Sequence, residues 1–170
     1  MTVLPPMSGL GLAALEYACE LGWAVFPLQP RGKDPAWSAS EMKDAAGDSI
    51  CKGGFYRASS HPEQICSWWD ELPDANIGLW PGPSGLLVID VDGPDAEAEA
   101  ERLNLPALAM RISISGRADG GRHLYFPRPA QPVRNKNLAG SFLTIRCDGG
   151  YVVIPPSVHP DTGREYRWAR

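Results

Sequence analysis

An apolar run that leads directly into two acids constrains the fold of this chain more than any other feature. Residues 86–89 are all apolar, and Asp90 and Asp92 follow with Val91 between them. A continuous apolar run of this kind is typical of a central strand that is covered on both faces. Because alternate residues of a strand share a face, the carboxylates of Asp90 and Asp92 are expected to point the same way. The sequence therefore predicts a buried sheet with a pair of acids at the end of a central strand.

Helical and strand patterns intermix along the rest of the chain. Helices are predicted at 8–21, 62–71 and 94–104. Strands are predicted at 24–28, 76–80, 86–90, 110–114, 122–127, 142–146, 151–154 and 165–168. Ser8 and Ser60 are placed to cap the first two helices, and Pro27 indicates an edge strand or an early end of the strand. Helices mixed with hairpin-like strand pairs indicate an α+β protein with a mixed sheet.

Composition narrows the class of protein further. Gly and Pro, 18 and 17 of the 170 residues, predict many loops and exclude a coiled coil. No apolar run approaches the ~18–20 residues of a membrane span, and no signal-like segment is present. The four cysteines are far apart, which indicates a reduced cytoplasmic protein. A zinc site from Cys51, His61 and Cys66 is disfavoured because their spacing fits no standard zinc knuckle.

The charge of the chain is unevenly distributed. The formal net charge is −4, which as an average argues against a protein that binds nucleic acid. Residues 34–101, however, contain fourteen acids and three bases, whereas residues 111–146 contain seven bases and one acid. The second half is therefore suited to phosphate groups. Because little positive charge is in surplus, any binding to DNA is expected to be weak and to fall with rising salt.

The acid pair predicts a divalent cation. Two carboxylates on one face repel each other unless a cation lies between them. Oxygen ligands of this type favour Mg²⁺ or Mn²⁺ over zinc. An Asp-x-Asp pair is short, occurs in glycosyltransferases as well, and can simply cap a turn. The apolar run before Asp90 and Asp92 favours a functional interpretation, because charges at the end of a buried strand are costly without a partner.

A glycine-rich turn joins two predicted strands at residues 115–121. Ser115 opens the turn, Arg117 lies within it, and Arg122 and His123 follow it. Glycines let backbone N–H groups approach an anion closely, and arginine side chains bind phosphate oxygens two at a time. A single histidine on a strand is more often structural than functional. The position of His123 after such a turn, in the basic part of the chain, makes it a candidate phosphate contact.

Four segments and a helix, in this order, resemble the bifunctional primase/polymerase (prim-pol) domain of the archaeo-eukaryotic primase superfamily, common in replication proteins of phages and plasmids. The segments are GWAVFPL at 22–28, the helix with Trp68 and Trp69, NIGLWPGPSGLLVIDVDG at 76–93, SGRADGGRHLYF at 115–126 and IRCDGGYVVIPPSVHP at 145–160. The resemblance implies an RRM-like, mixed or antiparallel catalytic sheet flanked by helices, beside a smaller N-terminal α/β portion.

The resemblance also implies an activity and a site. The activity is DNA primer synthesis and extension, by nucleotidyl transfer at a two-metal site that uses Mg²⁺ or Mn²⁺ and no organic cofactor. Asp90 and Asp92 would be metal ligands, and His123 would bind the phosphates of the incoming nucleotide. Ser115, Arg122 and Arg146 would lie beside the triphosphate.

One position departs from the pattern of the family. The third carboxylate of the family usually stands two residues before Arg146, where this chain has Thr144. Asp148 lies two residues after Arg146, in a turn with two glycines, and is a candidate substitute. Otherwise the second metal is bound weakly, or the domain has lost full activity.

The resemblance sets further expectations about domains, partners and location. Residues 1–170 are expected to form one catalytic domain, monomeric when isolated, with a helicase domain in the same protein or a helicase partner. A single-stranded DNA template, a primer strand and dNTPs or NTPs are the expected partners, with no membrane. The expected location is the cytoplasm of a bacterium, an archaeon or a phage-infected cell.

Three other functions compete with this interpretation. A strand-nicking replication initiator needs a His-x-His pair, and none of the three histidines are two residues apart. A glycosyltransferase that uses the acid pair would not explain the basic segment 111–146. A catalytically impaired module that only binds nucleotide or template remains the main alternative, because Thr144 stands at the position of the third carboxylate.

Overall fold

The computed structural model describes residues 7–37, 42–43, 49–51, 53–134, 136–137 and 141–169. The helices are α1 Gly9–Leu21, α2 Pro62–Glu71, α3 Pro94–Arg102 and α4 Leu105–Leu108, with a 3₁₀ turn at Gly54–Arg57. The strands are β1 Val25–Pro30, β2 Met42–Lys43, β3 Ser49–Cys51, β4 Ala75–Leu79, β5 Leu86–Val91, β6 Arg111–Ile114, β7 Arg122–Pro127, β8 Lys136–Asn137, β9 Leu143–Arg146, β10 Val152–Ile154 and β11 Arg167–Trp168.

The strands form a large sheet and a small one, with a separate hairpin. The large sheet has the order β11-β6-β7-β5-β9-β8, and the small sheet has the order β1-β4-β10. The hairpin pairs β2 with β3. Every strand pair in the described part of the chain is antiparallel. The predicted α+β class is therefore confirmed, and of the mixed or antiparallel sheets expected, the antiparallel form is present.

The central strand β5 is covered on both faces, as its apolar run predicts. Val88 belongs to the main hydrophobic core, which also contains Ile77 of the small sheet and Tyr125 of β7. Val91 points to the opposite face and packs in a second cluster with Ala96 of α3. One face of the large sheet thus packs on the small sheet, and the other packs on α3. Asp90 and His123 continue the face of Val88 and Tyr125, because Val88 pairs with Tyr125 and Asp90 with His123 across the sheet.

The capping residue predicted from the sequence is confirmed for α1 and wrong for α2. The Ser8 side chain accepts a hydrogen bond from the Gly11 N–H at 3.1 Å and caps α1, and Gly22 ends that helix in the left-handed region. Ser60 does not cap α2. Pro62 takes the first helical position, so the cap position falls on His61, which makes no capping side-chain bond.

The remaining element predictions are confirmed to within a few residues, and the irregular stretch 29–60 holds two small elements that no pattern indicated. These are the hairpin of β2 and β3 and the 3₁₀ turn. The edge position expected from Pro27 is confirmed, since β1 pairs with β4 alone within the small sheet as described. None of the described helices combines the length and the apolar character needed to cross a membrane.

Candidate active site

A cleft of about 400 Å³ is lined by residues of both sheets, and this volume is suited to a small ligand. Strands of the large sheet supply Asp90, His123 and Arg146, and the loop after β1, the 3₁₀ turn and the segment before β10 supply further lining residues. The lining side chains used below are Lys33, Phe55, Asp90, Asp92, Ser115, Arg117, His123, Arg146, Tyr151 and Tyr166.

The two acids of the central strand lie in this cleft together. Asp90 is within β5, where it pairs with His123 of β7 on one side and Thr144 of β9 on the other. Asp92 follows the end of the strand and is more exposed than Asp90. Both carboxylates line the cleft, as the alternation of side chains along a strand predicts.

The charges around the acids are close, but none of them makes a tight pair. The Arg146 guanidinium lies 3.6 Å from one oxygen of Asp90, and the His123 imidazole lies 3.5 Å from the other. The Arg117 guanidinium lies 3.5 Å from Asp92. Partial burial raises the pKa of Asp92, and the neighbouring charge of Asp90 raises it further. The pair of carboxylates is therefore under-neutralised by the protein itself.

His123 lies beside the acids in a buried position that favours its neutral form. Its side chain is buried, and burial lowers its pKa even though Asp90 and Asp92 act in the opposite direction. Nδ1 of His123 is buried with no hydrogen-bond partner among the described residues. A buried polar atom without a partner is costly and indicates an absent ligand or water. The imidazole is thus available to a group bound in the cleft.

The glycine-rich turn brings two of its residues, Ser115 and Arg117, into the lining of the cleft. The Ser115 N–H donates to the Gly121 carbonyl at 3.0 Å, which closes the turn. Gly121 has a φ of 150°, and a Cβ on it would lie 2.5 Å from Oγ of Ser115 and 2.9 Å from Cδ of Arg117. No side chain fits there. Oγ of Ser115 is buried and, like Nδ1 of His123, has no hydrogen-bond partner in the described part of the chain.

Two predicted site residues lie outside the cleft lining. Arg122 neighbours His123 on β7 and therefore points to the other face, where it bonds Glu97 and Glu101 of α3. Asp148 accepts hydrogen bonds from the Arg128 guanidinium at 3.0 and 3.2 Å and from the Val133 N–H at 2.7 Å. The structure brings together Asp90, Asp92, Ser115, His123 and Arg146 but not Arg122 or Asp148.

The basic segment 111–146 is largely neutralised within the protein. In the described part of the segment, five bases have partners: Arg111 lies over the rings of Trp23 and Trp168, and acids lie beside Arg117, Arg122, Arg128 and Arg146. These contacts do not favour the expectation of a whole segment placed for phosphates, which stays a prediction. Only Arg117 and Arg146 of these five line the cleft.

The sequence reasoning missed several lining residues, among them Lys33, Tyr151 and Tyr166. Lys33 is exposed and lies in the irregular stretch 29–60, where no pattern marks it. Tyr151 lines the same wall and donates a hydrogen bond from its hydroxyl to the Lys33 carbonyl at 3.0 Å. Tyr166 is buried between the rings of His123 and His159, at centroid distances of 6.1 and 5.9 Å. Tyr166 lies outside the resembling segments, and its place in the predicted strand 165–168 was the one available signal.

The donor set fits a divalent cation that is shared with a phosphate ligand. Mg²⁺ is usually held by one or two carboxylates together with substrate phosphates, and not by a full cage of protein ligands. Asp90 and Asp92 supply such a pair. Thr144, opposite Asp90 on β9, brings a hydroxyl and no carboxylate. Within the described ranges, no group of three or more His, Cys, Asp or Glu side chains is arranged around a metal position.

These features define an α+β protein whose antiparallel sheet presents paired carboxylates, an imidazole and arginines to one open cleft. The family model "Bifunctional DNA primase/polymerase, N-terminal" matches residues 14–170, and the chain belongs to this family. The resemblance drawn from the sequence is therefore confirmed. The family is one of DNA primases and polymerases, which are nucleotidyltransferases, act on DNA and nucleotides, and typically use divalent metal ions. The comparison with curated proteins finds no match.

Proposed function

We propose that this protein makes DNA primers and extends them by template-directed nucleotidyl transfer in the replication of a phage or plasmid. The observation that carries the proposal is the juxtaposition of Asp90 and Asp92 with His123 at the end of the central strand, in a cleft of nucleotide size. Family membership supports the general activity, and the cleft supports the assignment of residues.

Asp90 and Asp92 are the proposed ligands of Mg²⁺ or Mn²⁺. Bound there, the ion would neutralise the developing charge on the reacting phosphate and lower the pKa of the primer 3′-hydroxyl. The under-neutralised charge of the two carboxylates supports this role, since the nearest cations, Arg117 and Arg146, lie 3.5 Å from Asp92 and 3.6 Å from Asp90. A second ion at the same site stays a prediction, because Thr144 takes the place of the family's third carboxylate.

His123, Ser115 and Arg146 are the proposed contacts to the triphosphate. The imidazole of His123 and the hydroxyl of Ser115 both have a buried polar atom that lacks a partner among the described residues. Arg146 adds a fixed positive charge from β9. We leave Arg122 and Asp148 out of the proposed site, because their charged groups are already bonded to Glu97 and Glu101 and to Arg128.

The wider setting follows from the proposed activity. A single-stranded template, a primer strand and dNTPs or NTPs are the proposed substrates, and residues 1–170 are proposed to act as one catalytic domain. We expect it to work as a monomer in the cytoplasm of a bacterium, an archaeon or a phage-infected cell, with a helicase domain or helicase partner.

Primer extension with and without the carboxylates tests the proposal. The wild-type chain is incubated with Mn²⁺, labelled dNTPs and either a primed or an unprimed single strand. We expect elongated product from the wild type and none from Asp90→Ala or Asp92→Ala. Asp74→Ala, which removes an exposed acid beside β4, is the matched control and should extend primers like the wild type. Full activity in Asp90→Ala would rule out the proposed mechanism.

A catalytically impaired module that binds nucleotide or template is the second candidate. The presence of Thr144 opposite Asp90 favours it. In this case the wild type binds dNTPs and yields no elongated product, and Thr144→Asp gains extension. If Thr144→Asp lowers the activity of an active wild type, this second candidate is excluded.

A further inference from the structure

Arg117 has two acidic neighbours, and it bonds them very differently. Nε and Nη2 of Arg117 donate to the two carboxylate oxygens of Asp119 at 2.9 Å each, in a fork-to-fork pair. Nη1 lies 3.5 Å from Asp92, which is beyond a normal hydrogen bond. Asp119 therefore fixes the plane and direction of the guanidinium, whereas Asp92 only attracts it.

The remaining donors of Arg117 lack acceptors. A guanidinium has five N–H groups, and Asp119 takes two of them. The other three have no hydrogen-bond acceptor in the described part of the chain, although the side chain lines the cleft. A guanidinium with one edge bonded and the other facing a cleft is suited to a phosphate group.

A second hydrogen-bond donor without a partner among the described residues, the hydroxyl of Ser115, lies beside the Arg117 side chain at Gly121. Oγ of Ser115 and Cδ of Arg117 would lie 2.5 and 2.9 Å from a Cβ on Gly121, so the hydroxyl and the arginine stem pack against one point of the backbone. Oγ of Ser115 is buried and has no partner among the described residues. The hydroxyl of Ser115 and the stem of Arg117 are thus neighbours, and both residues line the same cleft.

We propose that Arg117 binds the triphosphate together with Ser115, and that Asp119 is the positioning residue that holds Arg117 for this contact. The identity of the anion rests on the proposed function. While no cation opposes the charge of Asp92, this carboxylate attracts the unbonded edge of the Arg117 guanidinium. Once a cation neutralises Asp92, a phosphate oxygen accepts hydrogen bonds from that edge. Arg117 therefore takes the role that the sequence assigned to Arg122.

The direction in which Asp119→Asn changes the affinity for the anion distinguishes a positioning role of Asp119 from a simple electrostatic one. Asp119→Asn removes a negative charge near an anion site, so electrostatics alone predicts tighter binding of the anion. Loss of positioning predicts weaker binding, because the guanidinium is no longer held by two charge-assisted bonds. Asp161→Asn is the matched control, since Asp161 is an exposed acid on the neighbouring turn and lies 3.9 Å from His159.

Calorimetric titration with dTTP and with inorganic tripolyphosphate, each with Mg²⁺ and without DNA, tests the proposal. We expect Asp119→Asn to weaken both ligands about tenfold, as loss of a charged hydrogen bond does, and Arg117→Gln to weaken them at least as much. Asp119→Glu should restore most of the affinity, and Asp161→Asn should match the wild type. Equal losses for both ligands place the contact on the phosphates and not on the base.

Steady-state extension gives an independent readout. Asp119→Asn should raise the KM for dNTPs about tenfold and leave kcat within about twofold. Tighter or unchanged binding in Asp119→Asn overturns the proposal, as does an equal loss in Asp161→Asn or a wild type that binds neither ligand. A wild type that binds tripolyphosphate through Arg117 and extends no primer refutes the polymerase function alone.

Discussion

Charged side chains are paired closely on one face of the large sheet and loosely on the other. On the α3 face, Arg122 bonds Glu101 at 2.8 Å and also bonds Glu97. On the cleft face, the contacts of Asp90 with His123 and Arg146 are 3.5–3.6 Å long. Arg122 and His123 are adjacent residues of β7. Arg122 belongs to a network whose hydrogen bonds are made, whereas His123 has a polar atom without a partner in the described part of the chain. Close pairing indicates a structural role, and loose pairing indicates a place kept for a ligand.

The largest effect is expected from removing a charge on the cleft face. Asp90→Asn should lower the rate of primer extension at least about a thousandfold, because stabilisation of transition-state charge by a bound cation amounts to several kcal/mol. The melting temperature should stay the same or rise, since a partly buried, under-neutralised charge is lost. Primer extension and thermal unfolding measure the two. A large fall in melting temperature would show that Asp90 is a structural residue.

Filling the glycine-rich turn should have the next largest effect. Gly121→Ala places a methyl group 2.5 Å from Oγ of Ser115 and should lower kcat/KM about a hundredfold through displacement of the phosphate contacts. Gly120→Ala is the control, because Gly120 also has a positive φ, 83°, but an added Cβ there would meet no atom within 4 Å. Both variants carry backbone strain. Similar activity in the two would show that strain, and not the lost space, is responsible.

On the α3 face the same kind of substitution should affect stability and not activity. Arg122→Gln removes the bonds to Glu97 and Glu101 and should destabilise the protein by about 1 kcal/mol, or roughly 2–4 °C in melting temperature. Nucleotide affinity should be unchanged. Differential scanning calorimetry and the dTTP titration measure the two quantities. A loss of dTTP affinity would return Arg122 to the nucleotide site and remove the contrast between the faces.

The smallest effect is expected at Asp148 and depends on pH. The Arg128 guanidinium holds the pKa of Asp148 below its ordinary value. A carboxyl whose pKa is lowered by folding adds stability above its unfolded pKa, and this stability is lost as the pH falls through the folded pKa. Asp148→Asn should therefore melt below the wild type at pH 7, and the difference should shrink to near zero in acid. A melting temperature of Asp148→Asn equal to that of the wild type at pH 7 would contradict the structural role. A loss of metal affinity in this variant would show that Asp148 is a metal ligand.

Local patterns predicted much of the fold and the centre of the site. The apolar run predicted β5, and strand alternation placed Asp90 and Asp92 on one face. The same alternation could have assigned Arg122 to the face opposite His123, but the phosphate chemistry of arginine outweighed it. Lys33 could not have been found, because its place in the cleft depends on how a loop of irregular sequence packs beside Tyr151. The partner of Asp148, twenty residues away in Arg128, is likewise fixed by the tertiary fold alone.

The internal pairing of the basic segment also has a consequence for how long the protein stays on DNA. Arginines that bond acids or lie over aromatic rings release few counterions when a nucleic acid strand arrives, so the domain alone should dissociate quickly. A short flexible link to another DNA-binding unit would hold it near its template at an effective concentration on the order of millimolar. Residence time would then be set by the tether, and the catalytic cleft would be free to release each primer end.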